Sequence, residues 1–446
     1  MYLKESGIRQ HIGERLMNFN QVIVLIIASS YMLPMVADAN PSLSLQTIER
    51  MVRRSLPVQA ALANIKAAQE NVKETKDQGG LTLHTGINIG QHYPLVISNI
   101  TPKYFGIDPQ VSLSYPLLGA NVVQQEKTYE SISALSTSRA TLLQTRLQVI
   151  DLADTAFLLY WQSKERKLLA ENLVGQIKKW SLAAKEERIS GSWSLADGLY
   201  FDRVQSQAVD AVNQAQIQEE TALSALNSIL GQKLGPFEPK SPNILQFNQC
   251  HISKVNDAAM ASDPMIKTLL GQLNAIRAEQ HLGPWRYIDA TANVGAQSSY
   301  DPAGNRAGYT IAAGIQVNVP LDVIDADNAH ISKLAAQAES LQLQILQARA
   351  NVHQNLVAAM GDLRVARDDL VVAQKQVAVN QADWNSLHAM MQDGPNDVFR
   401  KSIVARMDWF QAETMRINAI AAVAAAAAKL RRLDPSACGL FATSPG

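Results

Sequence analysis

The chain has 446 residues but only two cysteines, Cys250 and Cys438, and no surplus charge, because 40 basic and 40 acidic side chains cancel. That balance argues against a partner held by bulk charge, so no nucleic acid is expected. The cysteines are far apart in sequence and make no metal-ligand spacing. In an exported chain they could form a disulfide, and free thiols are equally open. There is no glycine-rich phosphate loop, no histidine pair at metal spacing and no nucleophile signature. His330, His353 and His388 fall in one long helical stretch, as polar or seam positions. No catalytic residue, metal or cofactor is expected, and the chain is read as a non-enzyme.

Proline is missing from two long stretches. From Asp322 to Met391 there is no proline and one glycine, Gly361. Within it, apolar residues alternate spacings of three and four: Leu334, Ala338, Leu341, Ile345, Ala348, Val352, then Leu363, Ala366, Leu370, Ala373, Val377. After a polar Asn380, Trp384, Leu387 and Met391 continue the pattern. This heptad seam predicts a helix packed side by side with partners, about 105 Å long at the helical rise. Leu118 to Ile189 is a second long stretch without proline. Only 18% of residues are charged, which suits helices with more buried than solvated face.

The two stretches belong to a tandem duplication. Pro116 and Pro320 are 204 positions apart, Pro57 and Pro264 207, Asn88 and Asn293 205, and Asp197 and Asp397 200. Each copy reads as strand, strand, long helix and returning helix. The expected boundaries are strands at 81–90 and 110–116 with a helical hairpin at 118–230, then strands at 286–297 and 308–319 with a hairpin at 322–433. Residues 40–242 form the first repeat, 243–433 the second and 434–446 a tail. Loops are expected at His92–Pro109 and Ser298–Gly308. The strands have one apolar and one polar face, which suits an outer-membrane barrel or a sheet lying on a soluble core. Asp289 is the one charge in the predicted strand cores and falls on the polar face. Four strands cannot close a barrel in lipid, whereas three chains would supply enough. Tyr93, Tyr104, Phe105, Tyr115, Trp285, Tyr287, Tyr300 and Tyr309 would suit an interfacial belt.

The first 39 residues read as an export signal. Lys4, Arg9 and Arg15 precede the apolar run Val22–Ala28, and Ala37-Asp-Ala39 offers a cleavage site before Asn40. Met17 is an alternative start.

Four phrases in order carry a resemblance. Pro109-Gln-Val-Ser-Leu-Ser-Tyr-Pro-Leu-Leu118 and Gly314-Ile-Gln-Val-Asn-Val-Pro-Leu321 run from strand to helix. Gly191-Ser-Trp-Ser-Leu-Ala-Asp-Gly-Leu199 and Gly394-Pro-Asn-Asp-Val-Phe399 lie at the helical turns. With the duplication and the signal, the chain resembles the TolC family of outer-membrane efflux channels from about Leu43 to Leu433. The resemblance implies a mainly α fold with a membrane β-barrel. A homotrimer would form a 12-strand barrel in outer-membrane lipid, continued by a 12-helix periplasmic α-barrel. It implies passive conduction of substrates from an inner-membrane pump and a periplasmic adaptor. The adaptor would meet the turns at Gly191, Ser192, Gly394 and Pro395, and Cys250 and Cys438 would both fall in an equatorial region. Relatives narrow the periplasmic end with acids. Asp397 matches the first, but Arg400 stands where a second acid is frequent, so the two could neutralise each other or pair between helices. Asp393 and Lys401 are secondary gate candidates. Asp397 could equally be a helix cap, and Asp197 is read as one. A type I protein secretion duct of the same fold and an exported structural coiled-coil protein are the alternatives.

Overall fold

In a computed structural model, residues 42–92, 104–189, 191, 193–242, 255–301, 306–390 and 396–434 are described, and the chain from Leu43 onward forms one compact unit. Ser44 caps α1 (Leu45–Val52) by accepting from the Thr47 amide, and Pro57 sits in the first turn of α2 (Leu56–Asp77). Both are favoured helix starts. Strands β1 (Thr82–His92) and β2 (Tyr104–Pro116) follow, then α3 (Ala120–Ile189) and the returning α4 (Leu195–Leu230). After α5 (Val255–Ser262) the order repeats: α6 (Pro264–Gln280), β3 (Asp289–Asp301), β4 (Arg306–Asn318), α7 (Val323–Met390) and α8 (Asn396–Leu433).

The two long helices, of 70 and 68 residues, are the frame. Next to the strands, α3 packs against α2 and α6, and α6 also packs on α7. Farther away the returning helices take over, with α4 on α3 and α8 against both α3 and α7. On α7 a buried row runs through Leu334, Ala338, Leu341, Ile345, Ala348, Val352, Leu356, Ala359, Leu363, Ala366, Leu370 and Ala373, with Asp327 and Trp384 buried beyond its ends. The two runs seen in the sequence are therefore one uninterrupted seam, joined by Leu356 and Ala359. Its strand-end half receives Ile266, Leu269 and Leu273 of α6. Its middle receives Ile420, Val423, Ala424, Ala427 and Leu430 of α8. Each buried leucine or isoleucine contributes about 1.5–3 kcal/mol, and the alanines let the helices approach closely.

The strands form one antiparallel sheet in the order β1-β2-β3-β4. Its register places Leu83 opposite Leu113, Leu113 opposite Val294, and Val294 opposite Ala313. With a side-chain period of two, Leu83, Ile87, Val111, Leu113, Val294, Ile311, Ile315 and Val317 then share one face. All eight are exposed. The other face carries His84, Asn88, Gln110, Ser112, Ser114, Asn293 and Gln316, and His84 Nε2 lies 2.8 Å from Ser114 Oγ. Among the described residues the sheet is open: β1 and β4 each keep one edge without a partner strand.

Several strand boundaries differ from the sequence reading. The expected strand start at 286 falls in a 3-10 turn, Gly283–Tyr287, because Gly283 takes φ +66° and Pro284 follows it. Strand β2 runs through Pro109 from Tyr104, shortening the expected loop. Pairing with β3 ends at Gln110, so the missing amide of Pro109 falls where β2 has one free side. Strands β3 and β4 extend to Asp301 and from Arg306, into the loop expected at Ser298–Gly308. Among the described residues no helix is long and apolar enough to cross a membrane.

The repeats are joined at Gly119. The Leu117 and Leu118 amides donate to Ala290 O at 2.8 and 3.2 Å, and the Gly119 amide to Trp285 O at 3.0 Å. Gly119 has φ +45°, and a Cβ there would lie 2.7 Å from Ile288 O and 2.8 Å from Asp289 Cα. Gly119→Ala should destabilise the chain by about 2–3 kcal/mol through strain and backbone displacement. An unchanged thermal midpoint of the purified variant would refute this.

Candidate functional site

The end of the molecule opposite the sheet is where helices of both repeats converge. At the first turn Gly191 takes φ +71°, a left-handed conformation that glycine adopts without cost. Ser194 then caps α4 in a closed box. Its hydroxyl accepts from the Asp197 amide at 3.2 Å, and the Asp197 carboxylate accepts from the Ser194 amide and hydroxyl. This is the reciprocal use of two orphan donors that Ser-x-x-acid sequences permit.

Asp197 does more than cap. Its other oxygen lies 2.9 Å from Arg400 Nη1, so the first turn of α4 is tied to the first turn of α8. Arg400 also lies over the Tyr200 ring, 5.8 Å from its centroid, and Arg203 lies over the same ring at 4.9 Å. The Ser194 hydroxyl, helped by its amide and by the Arg400 charge, holds the Asp197 carboxyl below its ordinary range. A lowered folded pKa means stabilisation that is present above the ordinary carboxylate range and lost as pH falls through the folded value. The link therefore persists at neutral and mildly acidic pH. Arg400 is 58% and Asp197 21% exposed, so the pair is worth little as stability and more as geometry. Within the first repeat Arg188 donates to Gly198 O at 2.5 Å and lies 2.9 Å from Asp202. Any Cβ at Gly198 would collide with that guanidinium at 2.8 Å.

Beneath the ion pairs lies an aromatic core. Phe399 of α8 packs against Trp180 of α3 at 6.2 Å and Trp193 of the turn at 5.3 Å. Trp180 meets Trp384 of α7 at 5.6 Å, and Leu173, Ile177, Phe201, Val204 and Ile403 complete the cluster. Arg406 is buried beside it, 3.9 Å over Trp409 and 5.4 Å over Trp384. Desolvation lowers its pKa to about 10, so it stays charged at neutral pH against the negative faces of the rings. On the second hairpin an open groove of about 580 Å³ is lined by Asn380, Asp383, Leu387, Arg400, Lys401 and Asp408.

Of the residues singled out from sequence, Arg400, Lys401 and Gly191 lie at this tip. Asp397 is in the first turn of α8, with its side chain outside the described residues. Ser192, Asp393, Gly394, Pro395, Cys250 and Cys438 lie outside the described residues. The partner of Arg400 is Asp197, which sequence reasoning had assigned only to capping. A signal existed: Arg400 follows Asp197 by 203 positions, within the repeat offset, and Tyr200 occupies the equivalent place in the first copy. The aromatic core left no pattern of its own, because its members come from four helices and a turn.

Of the expected belt, Tyr115, Trp285 and Tyr309 are exposed. Tyr287 instead donates its hydroxyl to Ala326 O at 3.2 Å and packs on α7. Tyr93, and the side chains of Tyr104, Phe105 and Tyr300, lie outside the described residues. Near the sheet, Glu126, Glu279 and His330 bring three possible metal ligands together. Arg286 Nη1 already lies 2.6 Å from Glu126 and 4.0 Å from Glu279, and supplies the positive charge there.

No family model and no curated protein matches the chain. Solved structures do. CusC, described in connection with folding and transmembrane channel formation, superposes with a TM-score of 0.71 at 11% identity, covering 90% of this chain and 96% of its own. The open state of the MtrE outer-membrane channel of Neisseria gonorrhoeae gives 0.68 at 14%, covering 91% and 96%. The outer-membrane protein VceC of Vibrio cholerae gives 0.66 at 12%, covering 87% and 95%. The resemblance to TolC-type channels therefore holds over nearly the whole chain, as a likeness of fold.

Phe399→Ala should cost about 2–3 kcal/mol and loosen the contact between the two hairpins. Faster hydrogen exchange at the tip, with the sheet end unchanged, is the expected readout. Uniform protection along both hairpins would contradict it.

Proposed function

We propose that this chain, which has the fold of outer-membrane channel proteins, is the protomer of a trimeric duct. The duct passively conducts substrates delivered by an inner-membrane pump and a periplasmic adaptor. The observation that carries the reading is the sheet: four antiparallel strands with a continuous, exposed apolar face, a polar face behind it and two unpaired edges. In lipid an unpaired strand edge is prohibitive, and three copies joined edge to edge remove all six. The polar face then lines a lumen, and the long helices extend it away from the membrane. Adaptor contact at the turns around Gly191 and Gly394, and a lumenal role for Asp393 and Asp397, belong to the same proposal. Small-molecule efflux is preferred, and a protein secretion duct would use the same chain.

The tip supplies the gate. Arg400 and Asp197 hold the returning helices of the two repeats together, and separating those hairpins is the motion that would widen the entrance. Lys401 lines the adjacent groove and is a secondary contributor.

The first test is native mass in detergent, corrected for bound detergent. A trimer extracted only by detergent is expected, and a water-soluble monomer would end the channel reading. In planar bilayers Arg400→Ala and Asp197→Asn should each raise single-channel conductance or open probability by a few-fold, as expected for an exposed pair. Unchanged traces for both variants would remove the gating role and leave the duct intact.

A further inference from the structure

A second charged cluster lies far from the tip, where both ends of the described chain meet α3. Arg432, in the last turn of α8, reaches Asp154 and Asp151 of α3 with its two terminal nitrogens. Its neighbour Arg431 pairs with Glu49 of α1. Three carboxylates thus face two guanidiniums across three helices. Ile48 and Val52 of α1 are fully buried beside them in the main core, so the cluster sits on the clamp that holds the first helix in place. Asp154 is 3% exposed at its side chain, and its Oδ1 is buried without a hydrogen-bond partner.

We propose that the Glu49–Asp151–Asp154–Arg431–Arg432 cluster is a proton-responsive clamp, in which Asp154 takes up one proton and so tightens the attachment of α1 and the end of α8 to α3. With all groups ionised the cluster holds three negative charges against two positive ones, and Asp154 is the carboxylate least open to water, with one oxygen that has no hydrogen-bond partner. A proton on Asp154 balances the charges at two against two. It also removes the charge from the buried carboxyl while Oδ2 still accepts from Arg432. Asp151 is exposed, and Glu49, although burial raises its carboxyl too, is paired directly with Arg431 and is more open to water than Asp154.

Burial, and after it the Glu49 charge, push the Asp154 carboxyl up to about 7 against the opposing pull of Arg432 and Arg431. The sign follows from linkage. A carboxyl whose folded pKa lies above its unfolded value binds a proton more tightly in the folded state. Stability is then greatest below the unfolded value and falls as pH rises from about 4 to about 7. The clamp is tightest in mild acid and strained above neutrality. This does not depend on the chain being a channel.

The test is the thermal midpoint of the full-length, detergent-extracted protein at about pH 5.5 and about pH 8. The natural protein should melt several degrees higher in acid. Asp154→Asn, which mimics the protonated carboxyl, should raise the alkaline midpoint to the acid value and flatten the dependence. Asp151→Asn should leave the dependence in place. If Asp154→Asn lowers the midpoint equally at both pH values and keeps the slope, Asp154 is an ionised ion-pair partner and the proposal fails. Loss of the slope in Asp151→Asn instead would move the proton elsewhere and equally overturn it.

Discussion

Everything in this chain depends on one repeated apolar row. Helix α7 buries a position every three or four residues from Leu334 to Ala373, and no ordinary globular core is deep enough to receive a helix of that length. Its partners must therefore come in series. Helix α6 fills the seam near the sheet, and α8 takes over where α6 ends. Helix α3 is served in the same way by α2 and α4. Each of these helices is too long for a single partner and is matched by two shorter ones.

That arrangement leaves the two ends of the long helices to do different work. At one end the strands give up hydrophobic burial inside the chain: leucine, isoleucine and valine face outward, and the polar side chains gather on the other face. Such a sheet is stable only where the surroundings are apolar on one side and where its free edges find strands. At the other end the hairpins are held to each other by a compact aromatic core and a few exposed ion pairs. The sheet is fixed by backbone hydrogen bonding, whereas the tip is fixed by side chains that can separate without breaking the helices. The proposed duct belongs to the end held by backbone hydrogen bonds, and the proposed gate to the end held by side chains.

The buried charges divide along the same line. Around Asp154 carboxylates outnumber guanidiniums, and burial raises the carboxyl well above its ordinary range. Around Asp197 they are open to solvent and paired, and the carboxyl stays ionised. The same residue type thus carries opposite protonation behaviour at two points of one helical frame.

The sequence by itself determined the duplication, the two long helices, the two-faced strands and the position of both hairpin turns. All of these rest on local periodicity, which burial on one side of a helix or strand imposes at every repeat. Tertiary structure alone decided what lies between periodic segments. Leu356 and Ala359 join two seams into one, Tyr287 packs on α7, and a 3-10 turn at Gly283–Tyr287 delays the third strand. It also decided the partners. Arg400 meets Asp197 across 203 residues, and Arg432 meets Asp154 across 278. Pairings of that range depend on how four helices pack, and the identity of one residue constrains its neighbours in space without marking its neighbours in sequence.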